Sequence, residues 1–286
     1  MVQVDLGTGQ CHAVLPVCIV PKRLPHTHPK IYIRLLKLHL DFFCKKNNIN
    51  YFLDYGTLLG AIRHKGYIPW DDDIDVGMLR KDFDKFIVLF DEQVEADSRY
   101  KIIGNEIQSD CYYPFVKIID TKTILYEPDE KGFKSGVNID VFVYDSFPSK
   151  EVANKQFRLR DKLMNLNIIQ FKMFRSTKTY RKLLNTTACY VLKLFPRGYF
   201  SSKIVELSKR YADTDAEFIG SVVSGTSAVC HKCTFDGYIN KEFEGRMYPV
   251  PIGYDTWLTE VYGEYMKLPP EEKRIPHHLI KAYIKS

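Results

Sequence analysis

The chain has 286 residues, 45% of them hydrophobic, which is enough for one large domain or two unequal domains with a substantial core. The 16 glycines and 14 prolines are scattered, and this excludes a collagen-like or broadly disordered chain. The net charge is +6, but residues 155–210 hold 14 lysines and arginines and only two acids, so the remainder is net acidic. Such asymmetry predicts a face that meets an anionic lipid surface, a phosphorylated substrate or nucleic acid.

Hydrophobic periodicity predicts a mixed α/β first half. Residues 1–29 contain four prolines and are expected to form an irregular arm. The elements predicted after this arm are a helix over 30–46, strands over 51–53 and 74–79, a helix over 81–94, and strands over 100–107, 114–120 and 137–144. In the first helix, the residues whose spacing predicts the buried face are Ile31, Leu35, Leu38 and Phe42.

The second half differs from residue 150 onward. Long helical patterns run to about residue 211, with a break near Pro196, and loops are expected around Gly225, Gly237 and Gly245. A final helix is predicted over 254–262. Its residues expected to face inward are Trp257, Leu258 and Val261.

The cysteine pattern and the hydropathy profile predict a cytoplasmic protein. Seven dispersed cysteines, an odd number, favour a reducing compartment over a disulfide framework. Cys230 and Cys233 form a lone C-x-x-C, and its use as a zinc or redox site would need partners that the sequence does not identify. No signal peptide pattern is present, and no apolar run approaches the roughly 18 residues of a membrane span. Residues 155–210 could contact the inner face of the cell membrane.

Four aspartates fall within five positions, from Asp71 to Asp75, and lead into an apolar strand. Residues two apart in a strand share a face, so Asp73 and Asp75 should point one way and Ile74 into the core. Adjacent carboxylates resist burial unless a cation compensates them, and Mg²⁺ or Mn²⁺ prefers oxygen ligands. Asp73 and Asp75 are therefore predicted to bind such a metal, whereas Asp71 and Asp72 fit a solvated acidic turn equally well.

A third acidic candidate lies in a later apolar strand. Asp140 is the lone acid there, and Asn138 is expected on the same face. An ionised carboxylate among apolar neighbours needs a partner. Asp140 could complete the metal site, act as the base that takes a proton from an acceptor hydroxyl, or form a structural salt bridge.

A glycine turn and a basic cluster precede the acids. Gly56 would let backbone amides approach a ligand, and Thr57 could cap a helix and donate its hydroxyl to a phosphate. A helix cap without a ligand would explain this pair as well. Arg63, His64 and Lys65 could neutralise a donor pyrophosphate, or they could form a solvated basic loop. With the acids, these residues predict an enzyme that transfers a phosphate-containing group from a nucleotide donor.

The arrangement resembles the nucleotidyltransferase superfamily, in which a Gly-Thr or Gly-Ser turn precedes an acid pair flanked by hydrophobic residues. The 15 residues between Thr57 and Asp73 exceed the spacing of that general pattern. The longer string GTLLGAIRHKGYIPWDDDIDV, from Gly56 to Val76, is similar specifically to the LicD family, which includes bacterial phosphocholine transferases and fukutin-type proteins. The motifs that agree with the C-terminal signature of that family are Phe243-Glu244-Gly245, Val250-Pro251, Tyr262-Gly263-Glu264-Tyr265-Met266 and Leu268-Pro269-Pro270.

The resemblance implies an α+β fold, with a nucleotidyltransferase-like mixed β-sheet core flanked by helices. With the change of pattern at residue 150, it divides the chain into four parts. These are an arm over 1–29, a catalytic core over 30–149, a basic helical subdomain over 150–215 and a part over 216–286 that completes the catalytic domain.

The resemblance also implies a Mg²⁺- or Mn²⁺-dependent transferase. Such an enzyme would move phosphocholine or a related phospho-alcohol from a CDP-linked donor to a glycan or lipid-linked glycan of lipopolysaccharide, capsule or teichoic acid. By position, Asp73 and Asp75 would be metal ligands and Asp140 the third acid, with Phe243 to Gly245 near the site.

Two other interpretations stay open. One is a nucleotidyltransferase that adds a nucleoside monophosphate to a sugar, a protein or RNA, and the other is a non-catalytic protein that binds nucleic acid or a membrane. Nucleic acid is not the expected partner, because residues 155–210 lack a recognition motif and the acidic cluster would repel phosphate.

Overall fold

The computed structural model describes residues 22–23, 28–71, 73–93, 98–126, 136–171, 179–212, 214–275 and 281–284. Its helices are α1 (His28–Lys46), α2 (Tyr55–Arg63), α3 (Arg80–Gln93), α4 (Lys150–Gln170), α5 (Thr179–Leu192), α6 (Tyr199–Ser208) and α7 (Tyr254–Tyr262). Its strands are β1 (Lys22–Arg23), β2 (Phe52–Leu53), β3 (Asp75–Leu79), β4 (Tyr100–Ile103), β5 (Val116–Asp120), β6 (Thr123–Tyr126), β7 (Asn138–Phe147), β8 (Phe218–Gly220), β9 (Val229–His231), β10 (Tyr238–Phe243), β11 (Arg246–Pro251) and β12 (Lys281–Ile284).

A mixed sheet forms the centre of the fold. Its strands follow the order β2-β3-β7-β5-β4, and β8 and β9 extend it beside the last residues of β7. Among the described strands of this sheet, β3 and β7 run parallel and the other pairs are antiparallel. The parallel register places Asp75 directly beside Asp140. The α+β fold expected from the sequence is confirmed.

The helices that flank the sheet bury the faces that their periodicity predicts. In α3, the buried residues are Phe83, Phe86 and Phe90. In α7, Trp257 and Leu258 are fully buried, and Val261 is partly buried against the same core. Helix propensity alone would not hold such short segments, so the burial of these large side chains is the main source of their stability.

Helix α1 forms as predicted, but its buried face differs from the expected one. Phe42 is 69% exposed, which contradicts the prediction, and Lys37, Leu40 and Cys44 are buried instead. These three residues also recur at helical spacing, so the hairpin of β10 and β11, which packs beside Lys37, decides between two possible faces. Of the other residues predicted on this face, Leu38 is half-buried, and the side chains of Ile31 and Leu35 lie outside those that the structure describes. Asp72, predicted in the acidic turn, also lies outside the described residues.

The helices predicted beyond residue 150 are confirmed, including the break between them. Helix α5 ends at Leu192 and α6 begins at Tyr199. Helix α4 packs against both α5 and α6, and Phe157, Ile204 and Leu207 join the core of the sheet. No helix in the described ranges is long and apolar enough to cross a membrane.

Several short elements were not predicted. Lys22–Arg23 pairs with the C-terminal strand β12, so the arm over 1–29 is not wholly irregular. The loop expected at Gly245 is the tight turn of the hairpin β10–β11, where Glu244 and Gly245 have φ angles of 53° and 70°. Strands β6, β8, β9 and β12 have three or four residues each, too few to show a recognisable alternation.

Candidate active site

A cavity of about 720 Å³ lies between α2, the approach to β3 and the segment that follows α7. Small-molecule sites commonly span roughly 300–1,000 Å³, so this volume suits a nucleotide-sized ligand. One side is lined by Gly56, Arg63, Asp71, Asp73 and Asp75. The residues that line the rest include Trp70, Thr226, Tyr262, Glu264, Tyr265, Lys267, Leu268, Pro269 and Pro270.

Asp75, the first residue of β3, is held by contacts from the start of α2. Its amide donates to the Thr57 hydroxyl at 2.9 Å, and its carbonyl accepts from the Asp54 amide at 3.1 Å. The prediction that Thr57 caps the helix is wrong, because Asp54 is the N-cap residue. Thr57 lies inside α2, is 2% exposed and is absent from the cavity lining, so its hydroxyl positions the backbone of Asp75.

Asp73 and Asp75 both line the cavity, as their shared face predicts. Ile74 between them is fully buried, whereas Asp75 keeps 9% of its surface exposed. Burial, followed by the charges of Asp73 and Asp140, raises the pKa of Asp75 well above its ordinary value. The site therefore gathers several carboxylates around the buried start of β3.

Asp54 is a buried acid that sequence reasoning missed. Its carboxylate accepts hydrogen bonds from the Tyr144 hydroxyl at 2.5 Å, the Trp257 indole at 2.9 Å and the Tyr55 amide at 2.8 Å. Burial raises the pKa of Asp54 to about 6, and these hydrogen bonds limit the rise. The residue ties α2 to β7 and α7, so it orients the strand and helix that carry the cavity. Its position one residue before a helix was the available signal.

Asp140 lies beside Asp75 in the sheet, but it is outside the cavity lining and is engaged with other side chains. Its carboxylate accepts from Lys117 Nζ at 2.9 and 3.1 Å and from the Asn138 amide at 2.6 Å. The expectation that Asn138 shares its face is confirmed. The structural salt bridge weighed for Asp140 is present, and its roles as base or metal ligand stay predictions.

The acidic side of the cavity fits a hard divalent cation in part. Asp73 and Asp75 offer oxygen ligands, and a bound cation would relieve both the burial of the Asp75 charge and the repulsion from Asp73 that raise its pKa. Within the described ranges, however, no three His, Cys, Asp or Glu side chains converge as a ready-made metal site. Mg²⁺ or Mn²⁺ would be held by Asp73 and Asp75, with Asp140, which is paired with Lys117, as the further candidate.

Of the three predicted basic residues, Arg63 alone lines the cavity. Its Nη1 donates to the backbone carbonyls of Tyr265 at 2.6 Å and Lys267 at 3.4 Å, so it fastens the segment after α7 to the end of α2. Burial, followed by the Arg63 charge, lowers the pKa of His64. His64 and Lys65 lie outside the cavity lining, and a contact of these three residues with pyrophosphate stays a prediction.

The start of α2 is unusually tight. A Cβ on Gly56 would collide with the Asp71 carboxylate, so a larger residue would push this acid away from the helix. Tyr55 has a φ angle of 40°, a left-handed conformation that a non-glycine residue adopts at a cost. Its hydroxyl is 3.1 Å from the Thr226 hydroxyl across the cavity.

A second wall of the cavity, also missed from the sequence, is fastened by a buried arginine. Arg160 of α4 is 2% exposed and donates to the carbonyls of Ser224 and Thr226 and to the Ser227 hydroxyl. Thr226 lines the cavity. The basic helical segment thus supports the site through the hydrogen bonds of one buried arginine. In the sequence, nothing distinguishes this arginine from the other basic residues of the helix.

The motif Phe243-Glu244-Gly245 lies at the hairpin turn, beside the chain that leads to the acids. Glu244 accepts from the Tyr67 amide at 3.1 Å through its side chain and donates to the Lys65 carbonyl at 2.9 Å through its amide. The Phe243 ring lies 5.0 Å from the Tyr67 ring. These contacts fix residues 65–67, which explains the presence of this motif near the site.

The C-x-x-C pair forms no disulfide, and in the part of the chain that the structure describes it joins no group of three His, Cys, Asp or Glu side chains. Cys230 is a buried free thiol and Cys233 an exposed one. Burial raises the pKa of Cys230 to about 11, which makes it unreactive.

Comparison with known proteins agrees with this geometry. The family described as LicD/FKTN/FKRP, nucleotidyltransferase domain, matches residues 48–111. Lipopolysaccharide cholinephosphotransferase LicD of Haemophilus influenzae is 35% identical over 256 residues, which cover 86% of this chain and 94% of that protein. An uncharacterized protein of Rickettsia typhi is 42% identical over 66 residues, 23% of this chain and 21% of that protein. Another, of Rickettsia prowazekii, is 60% identical over 37 residues, 13% and 14% of the two chains.

The mixed sheet and the acid-lined cavity define a transferase of the nucleotidyltransferase-like class. The similarity to the Haemophilus protein extends along nearly its whole length. The chain therefore belongs to the LicD family and is an enzyme of the LicD phosphotransferase type.

Proposed function

We propose that the protein transfers phosphocholine from CDP-choline to a glycan of lipopolysaccharide. The observation that carries this proposal is the 35% identity over 94% of a lipopolysaccharide cholinephosphotransferase. It is supported by the cavity, because the segment that matches the family, 48–111, contributes the acids Asp71, Asp73 and Asp75 that line it. Capsular polysaccharide and teichoic acid offer hydroxyl acceptors of the same chemical type.

In the proposed reaction, an acceptor hydroxyl oxygen bonds to the phosphorus that carries choline. The bond from this phosphorus to the bridging oxygen breaks, and CMP leaves with that oxygen. Asp140 is the proposed acceptor of the hydroxyl proton. The ammonium of Lys117 lies 2.9 Å from this carboxylate and orients it.

Mg²⁺ or Mn²⁺ is the proposed cofactor, with Asp73 and Asp75 as ligands and Asp140 as the further candidate. When bound, such an ion supplies positive charge opposite the pyrophosphate of the donor and the phosphate of the departing CMP. Asp54 and Thr57 hold the backbone of Asp75 in place for this purpose.

The test is a reconstituted reaction with purified protein, Mn²⁺, CDP-choline and delipidated or intact lipopolysaccharide. We expect release of CMP and incorporation of choline, both lost in Asp75→Asn while this variant still unfolds cooperatively in a thermal melt. Teichoic acid and capsular polysaccharide in parallel reactions identify the acceptor. Release of pyrophosphate from CTP or ATP, with CDP-choline inert, would instead identify a nucleotidyltransferase.

Peripheral contact with the inner face of the cell membrane is part of the proposal. The helical region from α4 to α6 is basic and also exposes large apolar side chains. Those on α5 and just beyond it are Leu184, Tyr190, Val191, Leu194 and Phe195. Leu194 is 84% exposed and stands next to Lys193. An apolar patch with basic neighbours suits an anionic bilayer and would bring the enzyme to a lipid-linked acceptor.

Flotation on vesicles with anionic lipid tests this contact. We expect the wild type to float at low salt and Val191→Glu/Leu194→Glu to remain in solution. Phe42→Glu is the matched control, because Phe42 is also an exposed apolar residue, at 69%, but lies on α1. Equal flotation of all three proteins, or none of the wild type, would contradict the proposed contact.

A further inference from the structure

The cavity lining combines two kinds of side chain. Asp71, Asp73 and Asp75 contribute carboxylates, whereas the segment after α7 adds Tyr265, Leu268, Pro269 and Pro270. Two further rings line the cavity, Trp70 just before Asp71 and Tyr262 at the end of α7. A ligand that fills the cavity would therefore meet aromatic and apolar surfaces as well as carboxylates.

Trp70 is held in place by two neighbours. The Arg274 guanidinium lies 5.8 Å from its ring centroid, and His64 meets it edge-on at 6.2 Å. Arg274 is itself fixed by a 2.8 Å hydrogen bond to the Pro269 carbonyl. The indole ring is therefore fixed in orientation and already accepts one cation.

Of the two tyrosines, Tyr265 is held by hydrogen bonds and Tyr262 stands at the end of a helix. The backbone carbonyl of Tyr265 accepts from Arg63 at 2.6 Å, and its hydroxyl donates to the Asp255 carboxylate. Tyr262, the last residue of α7, lines the cavity and keeps 42% of its surface exposed. A ligand would therefore meet ring surfaces of Trp70 and Tyr265 that need little reordering, which reduces the entropic cost of binding.

Glu264 lies between these tyrosines in the sequence and lines the same cavity. Its carboxylate is 3.9 Å from Lys267 Nζ, and both side chains are more than three-quarters exposed. An exposed pair at this distance is weak, so the carboxylate can turn toward a cation in the cavity at little cost.

We propose that Trp70, Tyr262 and Tyr265, with Glu264 as the counter-charge, form the subsite for the trimethylammonium group of the donor. This inference rests on the proposed function, which supplies choline as the transferred alcohol. A quaternary ammonium has no N–H group to donate, so aromatic faces and a carboxylate are the means of binding it. The subsite would therefore select choline over ethanolamine, whose ammonium loses its hydrogen bonds to water against an aromatic wall.

Stacking of the cytosine base on Trp70 would use the same ring differently. The two uses are separable, because CMP carries the base without the choline. If Trp70 binds the base, its removal must lower the affinity for CMP as strongly as the affinity for CDP-choline. If it binds trimethylammonium, the affinity for CMP must stay unchanged.

The experiment is calorimetric titration of the purified protein, in Mn²⁺, with CDP-choline, CDP-ethanolamine and CMP. The variants are Trp70→Leu, Tyr262→Leu and Glu264→Gln, and Tyr254→Leu is the control because that ring packs against Lys241, outside the cavity. We expect Trp70→Leu and Tyr262→Leu each to bind CDP-choline about tenfold more weakly than the wild type and to bind CMP as the wild type does. Glu264→Gln changes an exposed side chain and should not disturb folding. It should lower the affinity for CDP-choline and leave the affinity for CMP unchanged.

Each outcome decides between the possibilities. If the wild type prefers CDP-choline to CDP-ethanolamine and the three variants retain this preference, the subsite lies elsewhere and the proposed function stands. An equal loss of CMP and CDP-choline in Trp70→Leu would assign the ring to the base and overturn the inference. If the wild type binds neither CDP compound while it binds Mn²⁺, the proposed function fails and the inference fails with it.

Discussion

Replacement of Thr57 by valine separates two roles for this residue, a donor-phosphate contact and a support for Asp75. Valine has nearly the shape of threonine, but it removes the hydroxyl that accepts from the Asp75 amide at 2.9 Å. Thr57 is 2% exposed, so water cannot replace the lost partner. A buried, unpaired amide costs about 1–3 kcal/mol. We therefore expect Thr57→Val to lower the free energy of unfolding by about that amount.

The same change should lower kcat with little effect on KM for the donor, because Thr57 is absent from the cavity lining whereas Asp75 belongs to it. Urea unfolding and steady-state kinetics measure the two effects. Thr57→Ser keeps the hydroxyl, loses one methyl group and should cost only about 1 kcal/mol, with kcat nearly retained. A stable Thr57→Val protein with a tenfold higher KM would refute this reasoning and restore Thr57 as a phosphate ligand.

Three further predictions concern charged groups around the cavity. The raised pKa of Asp54, about 6, means that the folded state favours its protonated form, so the stability of the wild type relative to Asp54→Asn should rise as the pH falls from 7 to 4. The full difference, about 3 kcal/mol, is measurable by urea unfolding at each pH. Arg63→Gln should increase hydrogen exchange in residues 264–270 and weaken donor binding several-fold, whereas unchanged exchange would contradict its role as a tether. Burial lowers the pKa of Lys37 to about 7, so its charge is costly below that pH, and Lys37→Met should gain more stability at pH 6 than at pH 9 in thermal melts.

The unsatisfied ammonium of Lys37 shows how the structure balances opposing terms. Its Nζ has no hydrogen-bond partner among the described residues, but it lies 3.8 Å from the Phe243 ring centroid and 3.7 Å from that of Tyr248. Two cation–π contacts offset part of the desolvation cost. They also connect α1 to the hairpin whose turn supports residues 65–67, so the lysine couples the first helix to the approach of the acids.

Much of the site follows from local spacing. Asp73 and Asp75 are two residues apart at the start of a strand, so their shared face is a property of strand geometry. Asn138 and Asp140 share a face for the same reason, and a 2.6 Å hydrogen bond joins them. The helices α3, α4 and α7 carry enough apolar or helix-forming residues for their existence to be predicted, although their exact ends depend on capping contacts.

Other features depend on contacts between segments far apart in the chain. Asp75 and Asp140 meet because β3 and β7 pair in parallel, and the intervening strands make this pairing impossible to read from either segment alone. Two of the hydrogen bonds to the Asp54 carboxylate come from Tyr144 and Trp257, which lie 90 and 203 residues further on in the chain. A hydrogen bond across such a separation leaves no periodic trace in the sequence.

The sequence by itself determined the α+β fold, the family and the acid pair, because strand alternation and a dense motif are local properties. Only the tertiary structure decided which face of α1 is buried, that Thr57 holds a backbone amide, and that Arg160 fastens a wall of the cavity. It also decided that Lys117 is the partner of Asp140. Each of these outcomes depends on which distant group desolvates or satisfies a polar atom, and that is fixed only when the whole chain packs.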